Sequence, residues 1–253
     1  GGDAPDGGGA SDGLAEAAWR LARAPSPPDG AWEAFEARAV QGCGALRGKE
    51  IVLVLHACTV ARRRPQQLLL RLAEEIPDKL PQFDVGGLCV CLHAYAQVRV
   101  RRGRFFAAVV RRLLQPELRS ELKPSHLASL LYSHVRCLMS DKGLVKTACA
   151  RLAQEASTVS MDDLATMLQA FATLRVEDAA AAAASANAAA WHAEHHPLPA
   201  LCDVLRALVG LGTPCGALQR ALVQRFEEQP AALAELSAAN LVHLLHGLGG
   251  TEG

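Results

Sequence analysis

Apolar and polar positions along the chain recur in blocks that echo one another. Leu88-Cys-Val-Cys-Leu92-His93-Ala94-Tyr95 is matched by Leu127-Ala-Ser-Leu-Leu131-Tyr132-Ser133-His134 and by Leu164-Ala-Thr-Met-Leu168-Gln169-Ala170-Phe171. Such blocks open at Ile51, Leu88, Leu127, Leu164, Leu201 and Leu241, at separations of 37, 39, 37, 37 and 40 residues. With the opening residue as offset zero, offset three is Val54, Cys91, Leu130, Met167, Val204 and Leu244, and offset four is Leu55, Leu92, Leu131, Leu168, Leu205 and Leu245. These offsets form one stripe of an α-helix. Offset six is small throughout (Ala57, Ala94, Ser133, Ala170, Ala207, Gly247), which a helix needs where another backbone approaches closely.

Most units carry a second apolar stretch after a turn, among them Gln67 to Ile76, Phe105 to Leu114, Leu144 to Ala153 and Leu218 to Phe226, with Gly103, Gly143 and Pro214 between paired segments. Start signals fall at Asp84, Pro124-Ser125, Ser160 with Asp163, Pro199 and Ser237. The unit is therefore a helical hairpin. One hairpin cannot bury its own apolar faces, so neighbours stack and share a core. The expected fold is all-α: an α-solenoid of about six stacked hairpins with a repeat of 37 to 40 residues, plus a degenerate N-terminal hairpin. Residues 47–253 form the solenoid, with units starting near 48, 85, 124, 161, 198 and 238. Residues 1–46 hold a mobile Gly- and Asp-rich stretch of 13 residues and a capping hairpin, Leu14 to Ala24 and Trp32 to Val40. The sixth unit has only its first helix, so its open face is expected to be covered by continuing chain or by a partner protein.

Composition supports this reading. Half of the residues are hydrophobic but only 4% are aromatic, which disfavours sandwiches and barrels. No apolar run reaches the roughly 18 residues of a membrane span, so no membrane insertion is expected. The eight cysteines lack a CxxC pair and sit in apolar patterns, as reduced core thiols do.

A period near 37 to 38, a Leu-x-x-Leu-Leu-x-Ala block and a second helix rich in Leu, Ala and Arg resemble the heptatricopeptide or octatricopeptide repeats of RAP-domain and FAST-kinase-like proteins. The resemblance lies in Leu88 to Val98, Leu127 to Leu138 and Ser160 to Leu174, although the Pro-Pro-Pro-Glu-Trp signature of octatricopeptide repeats is missing. It implies an organellar RNA-binding protein in the mitochondrial matrix or, alternatively, a plastid. It would be a mitochondrial ribosome component or a factor in RNA assembly or processing, with RNA (rRNA foremost) and neighbouring proteins of a ribonucleoprotein as partners.

The net charge of zero hides an asymmetry. Residues 47–123 hold 15 Lys or Arg against 7 Asp or Glu, and the remainder 11 against 19. Arg62, Arg63 and Arg64 occupy offsets eleven to thirteen of one unit, and Arg99, Arg101, Arg102 and Arg104 follow offsets eleven to sixteen of the next, with Arg111 and Arg112 on its second helix. Stacking would bring these onto one edge as phosphate-binding groups, because guanidinium pairs bidentately with phosphate. A solvated helix edge is the plainer account of the same charges. Offset five holds His56, His93, Tyr132, Gln169, Arg206 and His246, polar groups that could contact bases or simply cover the grooves between units. Arg175 repeats offset eleven.

His192 and His196 have the spacing of a metal pair, but no nearby Cys completes a site and a polar helix end explains them more simply. Walker, Rossmann, nucleophile-elbow and HExxH motifs are not found. No cofactor, metal, small-molecule substrate or catalytic residue is expected, and the chain reads as a non-enzyme. The rival to RNA binding is a protein scaffold of HEAT or armadillo type with no direct RNA contact.

Overall fold

The computed structural model describes residues 9–191 and 193–249, and among them every regular element is helical. The helices are α1 (Gly9–Arg23), α2 (Ala31–Gly42), α3 (Gly48–Val60), α4 (Gln66–Lys79), α5 (Val85–Val98), α6 (Gly103–Leu113), the single turn α7 (Pro116–Arg119), α8 (Pro124–Arg136), α9 (Lys142–Glu155), α10 (Met161–Leu174), α11 (Ala179–Trp191), α12 (Leu198–Gly210), α13 (Gly216–Glu228) and α14 (Ala238–Gly249). Of the 13 residues expected to be a mobile linker, the first eight lie outside the described residues, and Gly9 onward joins α1. Once Leu14, Ala15 and Ala18 are buried, extending the helix toward its N-terminus fixes only one residue per added turn position.

The chain divides into two compact units: residues up to Leu122 together with Arg136–Met139, and Lys123–Val135 together with Ser140 onward. In unit 1, α3 packs between α1 and α5 in one row, and α4 between α2 and α6 in a second. In unit 2, α12 packs between α10 and α14, and α11 between α9 and α13. Within these rows a helix thus touches the helix two places along the chain, which is the stacking rule of an α-solenoid. The longer spacings have local causes. The 39-residue interval contains α7, and the 40-residue interval contains the 3₁₀ segment Pro230–Glu235.

The apolar stripe forms the core. Ile51, Val54 and Leu55 of α3, and Leu88, Cys91 and Leu92 of α5, are fully buried, as are Leu164, Met167 and Leu168 in unit 2. In unit 1 the Tyr95 ring packs 4.5 Å from Phe105, centroid to centroid, and its hydroxyl donates to the Leu69 carbonyl at 2.6 Å, joining α5 to both α4 and α6. The small residues at offset six are buried in every copy. α11 is almost pure alanine, held by propensity and by the Asp178 carboxylate, which accepts from the Ala181 N–H at 2.9 Å. At the other end of unit 2, Val242 and Leu245 of α14 are 63% and 70% exposed.

Candidate nucleic-acid interface

The first-row helices of unit 1 run parallel. A Cβ on Gly87, near the start of α5, would lie 3.0 Å from Val52 near the start of α3. Leu55 and Cys58 of α3 line a common cleft with Ala94, Gln97 and Val98 of α5. Parallel packing places the α3–α4 and α5–α6 turns at the same end. The turns that carry the arginine clusters 62–64 and 99–104 therefore lie toward the same end of the row, each cluster lining a cleft of its own.

How those turns are built is decided by the backbone. In both, the residue at offset eleven adopts the left-handed conformation, with φ of 53° at Arg62 and 56° at Arg99. The N–H of Arg62 donates to the Thr59 carbonyl at 3.0 Å and that of Arg63 to Cys58 at 2.9 Å; Arg99 and Val100 repeat the pattern onto Ala96 and Tyr95 at 3.2 and 3.0 Å. This is the Schellman closure of a helix C-terminus, whose left-handed residue is usually glycine. Arg175 (φ 54°) and Gly212 (φ 65°) in unit 2 make the same pair of bonds, and Leu138, at the same offset but in unit 1, has φ 53°. Glycine stands at only one of these five places. Sequence reading found the register but missed the left-handed turn, for which Gly212 in line with Arg62, Arg99 and Arg175 was the available signal.

The second-row helices begin just beyond these turns; in unit 2, α13 follows Cys215 without a side-chain cap, whereas α9 and α11 have one. α9 is capped by Asp141, whose carboxylate accepts from the Leu144 N–H at 2.9 Å, and α11 by Asp178. In unit 1, α4 follows Pro65 and α6 follows Arg102; neither residue provides a side-chain cap, and neither helix has an acidic residue in its first turn. The first N–H groups of a helix have no intrahelical partner and carry the positive end of its dipole. Around α4 and α6 the sequence adds Arg62, Arg64, Arg101, Arg102 and Arg104, all exposed. These five make no side-chain ion pair or hydrogen bond among the described residues. Positive charge at a helix N-terminus is unfavourable unless an anion joins it, and phosphate satisfies both the N–H groups and the guanidinium groups.

The remaining predicted phosphate ligands are placed differently. Arg63 points back to α2, where it pairs with the Glu33 carboxylate and lies 5.8 Å from the Trp32 ring centroid; the backbone and Arg63 hold the Glu33 carboxyl below its usual range. Arg111 and Arg112 occupy the last turn of α6, roughly 10 to 12 Å of helix rise from Arg104. Arg111 is exposed and Arg112 donates to Gln115. Sequence register could not exclude them because they belong to the same unit; helix length separates them from the turn.

The offset-five residues are largely occupied within the protein. His56 stacks on Trp19 of α1 with ring centroids 5.6 Å apart. His93 is half-buried, which lowers its pKa, and accepts a 2.9 Å hydrogen bond from the Gln97 amide. In unit 2, Arg206 lies 3.6 Å from Asp203, Tyr132 and Gln169 are half-buried, and His246 is exposed. The arrangement is mostly groove-covering.

The expected metal pair includes His192, which lies outside the described residues. Its partner segment is held by Arg225, which donates to the carbonyls of Ala193 and His196 at 2.5 and 2.6 Å. Among the described residues no group of three or more His, Cys, Asp or Glu is arranged to hold a metal. All eight cysteines are buried, and burial pushes the thiols of Cys58, Cys89 and Cys149 up to about 12.

The corresponding cleft of unit 2 has the opposite lining. Where Arg62, Arg63 and Arg64 rim the cleft beside α3, Glu177 and Asp178 rim the one beside α10. The arginine-rimmed clefts thus belong to unit 1 and the carboxylate-rimmed one to unit 2. No curated protein matches the chain. A family model does: residues 43–246, most of the sequence and all of both arginine turns, match the RNA-editing substrate-binding complex 6 protein (RESC6), and the chain belongs to that family.

Proposed function

We propose that this protein is a non-catalytic, RNA-binding repeat subunit of an RNA-editing substrate-binding complex in the mitochondrion. In this reading unit 1 grips the phosphates of the substrate RNA at the arginine-ringed N-termini of α4 and α6. The observation that carries it is the arginine ring: two uncapped helix N-termini with no acidic residue in the first turn, surrounded by five arginines that make no side-chain ion pair or hydrogen bond among the described residues. The family name supplies the kind of assembly and moves the proposed partner from ribosomal RNA to an editing substrate. Buried thiols with raised pKa values are poor nucleophiles, in keeping with a binding role.

The test is a salt titration of short single-stranded RNA, read by fluorescence anisotropy, with the purified protein and with the variant R62A/R64A/R101A/R102A. Each phosphate contact on a single strand contributes about 0.7 to the slope of log K against log salt. The expected result is binding that weakens steeply with salt, and a slope reduced by up to about 3 in the variant. Equal binding by the variant, or no binding at low salt, contradicts the proposal.

A second reading rests on α14. Offset four is fully buried in the five preceding copies, yet Leu245 is 70% exposed beside an exposed Val242. That face suits a protein neighbour within the complex, and a scaffold role alone would show as salt-insensitive capture of proteins without RNA.

A further inference from the structure

The geometry points to two nucleotide slots on unit 1, each seating an unpaired base of single-stranded RNA beside a phosphate held at a helix N-terminus. This rests on the RNA-binding reading above and goes further by naming the form of RNA. Phosphate alone needs only charge and N–H donors, yet both arginine turns open onto clefts with apolar floors. The first cleft, about 420 Å³, lies between the α3–α4 turn and the C-terminal half of α5, with buried Leu55, Cys58 and Leu69 below Arg62, Arg64 and Gln97. The second, about 690 Å³, lies between α4 and the start of α6, with Leu70, Ala73 and Phe105 below Arg101, Arg102 and Arg104, and with Glu74, paired to Arg71, on its wall. Both volumes fall within the roughly 300 to 1,000 Å³ typical of small-molecule sites.

An apolar floor beneath a ring of guanidinium groups complements a molecule with a flat, weakly polar body and an anionic end. A nucleotide has that form, and arginine adds stacking on the base to pairing with the phosphate. The second cleft also offers an acceptor. Pro77 has no N–H to give to the Ala73 carbonyl four residues back, and both residues line the cleft. That carbonyl can take a hydrogen bond from a base amino group or a ribose 2′-hydroxyl.

The slots are held rigid and close together. Consecutive residues Leu69 and Leu70 line different clefts, so the two lie on adjoining faces of α4, about 100° apart around its axis. The Tyr95 hydroxyl, buried on the Leu69 carbonyl, fixes α4 against α5. A duplex cannot fill such sites, because its bases are stacked inward and paired; an unpaired strand can turn successive bases into them.

The experiment compares three RNAs of equal length by anisotropy at one salt concentration: a single strand, the same strand with abasic positions throughout, and a perfect duplex. The expected result is at least ten-fold tighter binding of the normal single strand than of either other ligand. The variant Leu70→Lys adds a positive charge while filling a slot, and is expected to narrow the preference for single strand over abasic strand without weakening abasic binding. Binding of the abasic strand or the duplex within two-fold of the single strand overturns the slots while leaving phosphate binding intact. Failure of all three RNAs to bind at low salt overturns the RNA-binding reading and the slots with it.

Discussion

The arginine that opens each arginine-bearing turn is where backbone strain and the proposed RNA contact coincide. A left-handed conformation costs a side-chain-bearing residue about 1 to 2 kcal/mol, and glycine avoids that cost. Gly212 shows that the repeat tolerates glycine there, yet Arg62, Arg99 and Arg175 occupy the same backbone position with φ between 53° and 54° or at 56°. In Arg62 and Arg99 no side-chain hydrogen bond or ion pair among the described residues offsets the strain, which fits a side chain kept for an external anion. Arg99→Gly should therefore do two things at once. It should stabilise the fold by about 0.5 to 1 kcal/mol, seen as a melting temperature higher by a few degrees, and it should weaken RNA binding. A lower melting temperature would show that Arg99 serves the fold. The charge at this place was legible in the sequence, because the register of Arg62, Arg99 and Arg175 is plain; the strain was not legible from arginine itself, and Gly212 in the same register carried the signal of positive φ.

At the level of elements, the stripe at offsets zero, three and four was readable because stacking buries the same positions in each copy. The small residue at offset six was readable for the same reason, and the structure gives it a contact. A Cβ on Gly247 would stand 2.5 Å from the Leu205 side chain, whereas one on Gly249 would meet nothing within 4 Å. Gly247→Val should lower stability by about 1 to 3 kcal/mol through overpacking, while Gly249→Ala should leave it unchanged or raise it, both measured by thermal melting. Equal effects would mean that α14 does not dock tightly on α12. Other elements left weaker traces. α11 has no alternation of apolar and polar residues from which a buried face could be read, because alanine fits both core and surface. The arginine clusters at the starts of α4 and α6 were visible, but the lack of a cap beneath them came only from the structure, in which α13 is uncapped as well but has no such cluster. Arg63 and the pair Arg111 and Arg112 were grouped with the edge by sequence proximity, and packing against α2 and the length of α6 separate them from it.

Across the whole molecule, zero net charge conceals a division that follows the fold: arginine-rimmed clefts in unit 1 and an acidic counterpart in unit 2. The all-helical repeat architecture was legible because periodicity survives divergence of individual residues. The family was less so, since the repeat motif consists of packing positions that several helical-repeat families share; the match to the RNA-editing substrate-binding complex 6 protein family rests on 43–246 as a whole. The account stands on RNA contacting unit 1 at two turns. Photocrosslinking of a short single-stranded RNA to the full chain, with the attachment sites mapped by mass spectrometry, tests this most directly. Crosslinks should fall within residues 58–70 and 97–105 and be lost in R62A/R64A/R101A/R102A. Crosslinks confined to 172–183 and the rest of unit 2, or unchanged in the variant, would contradict it.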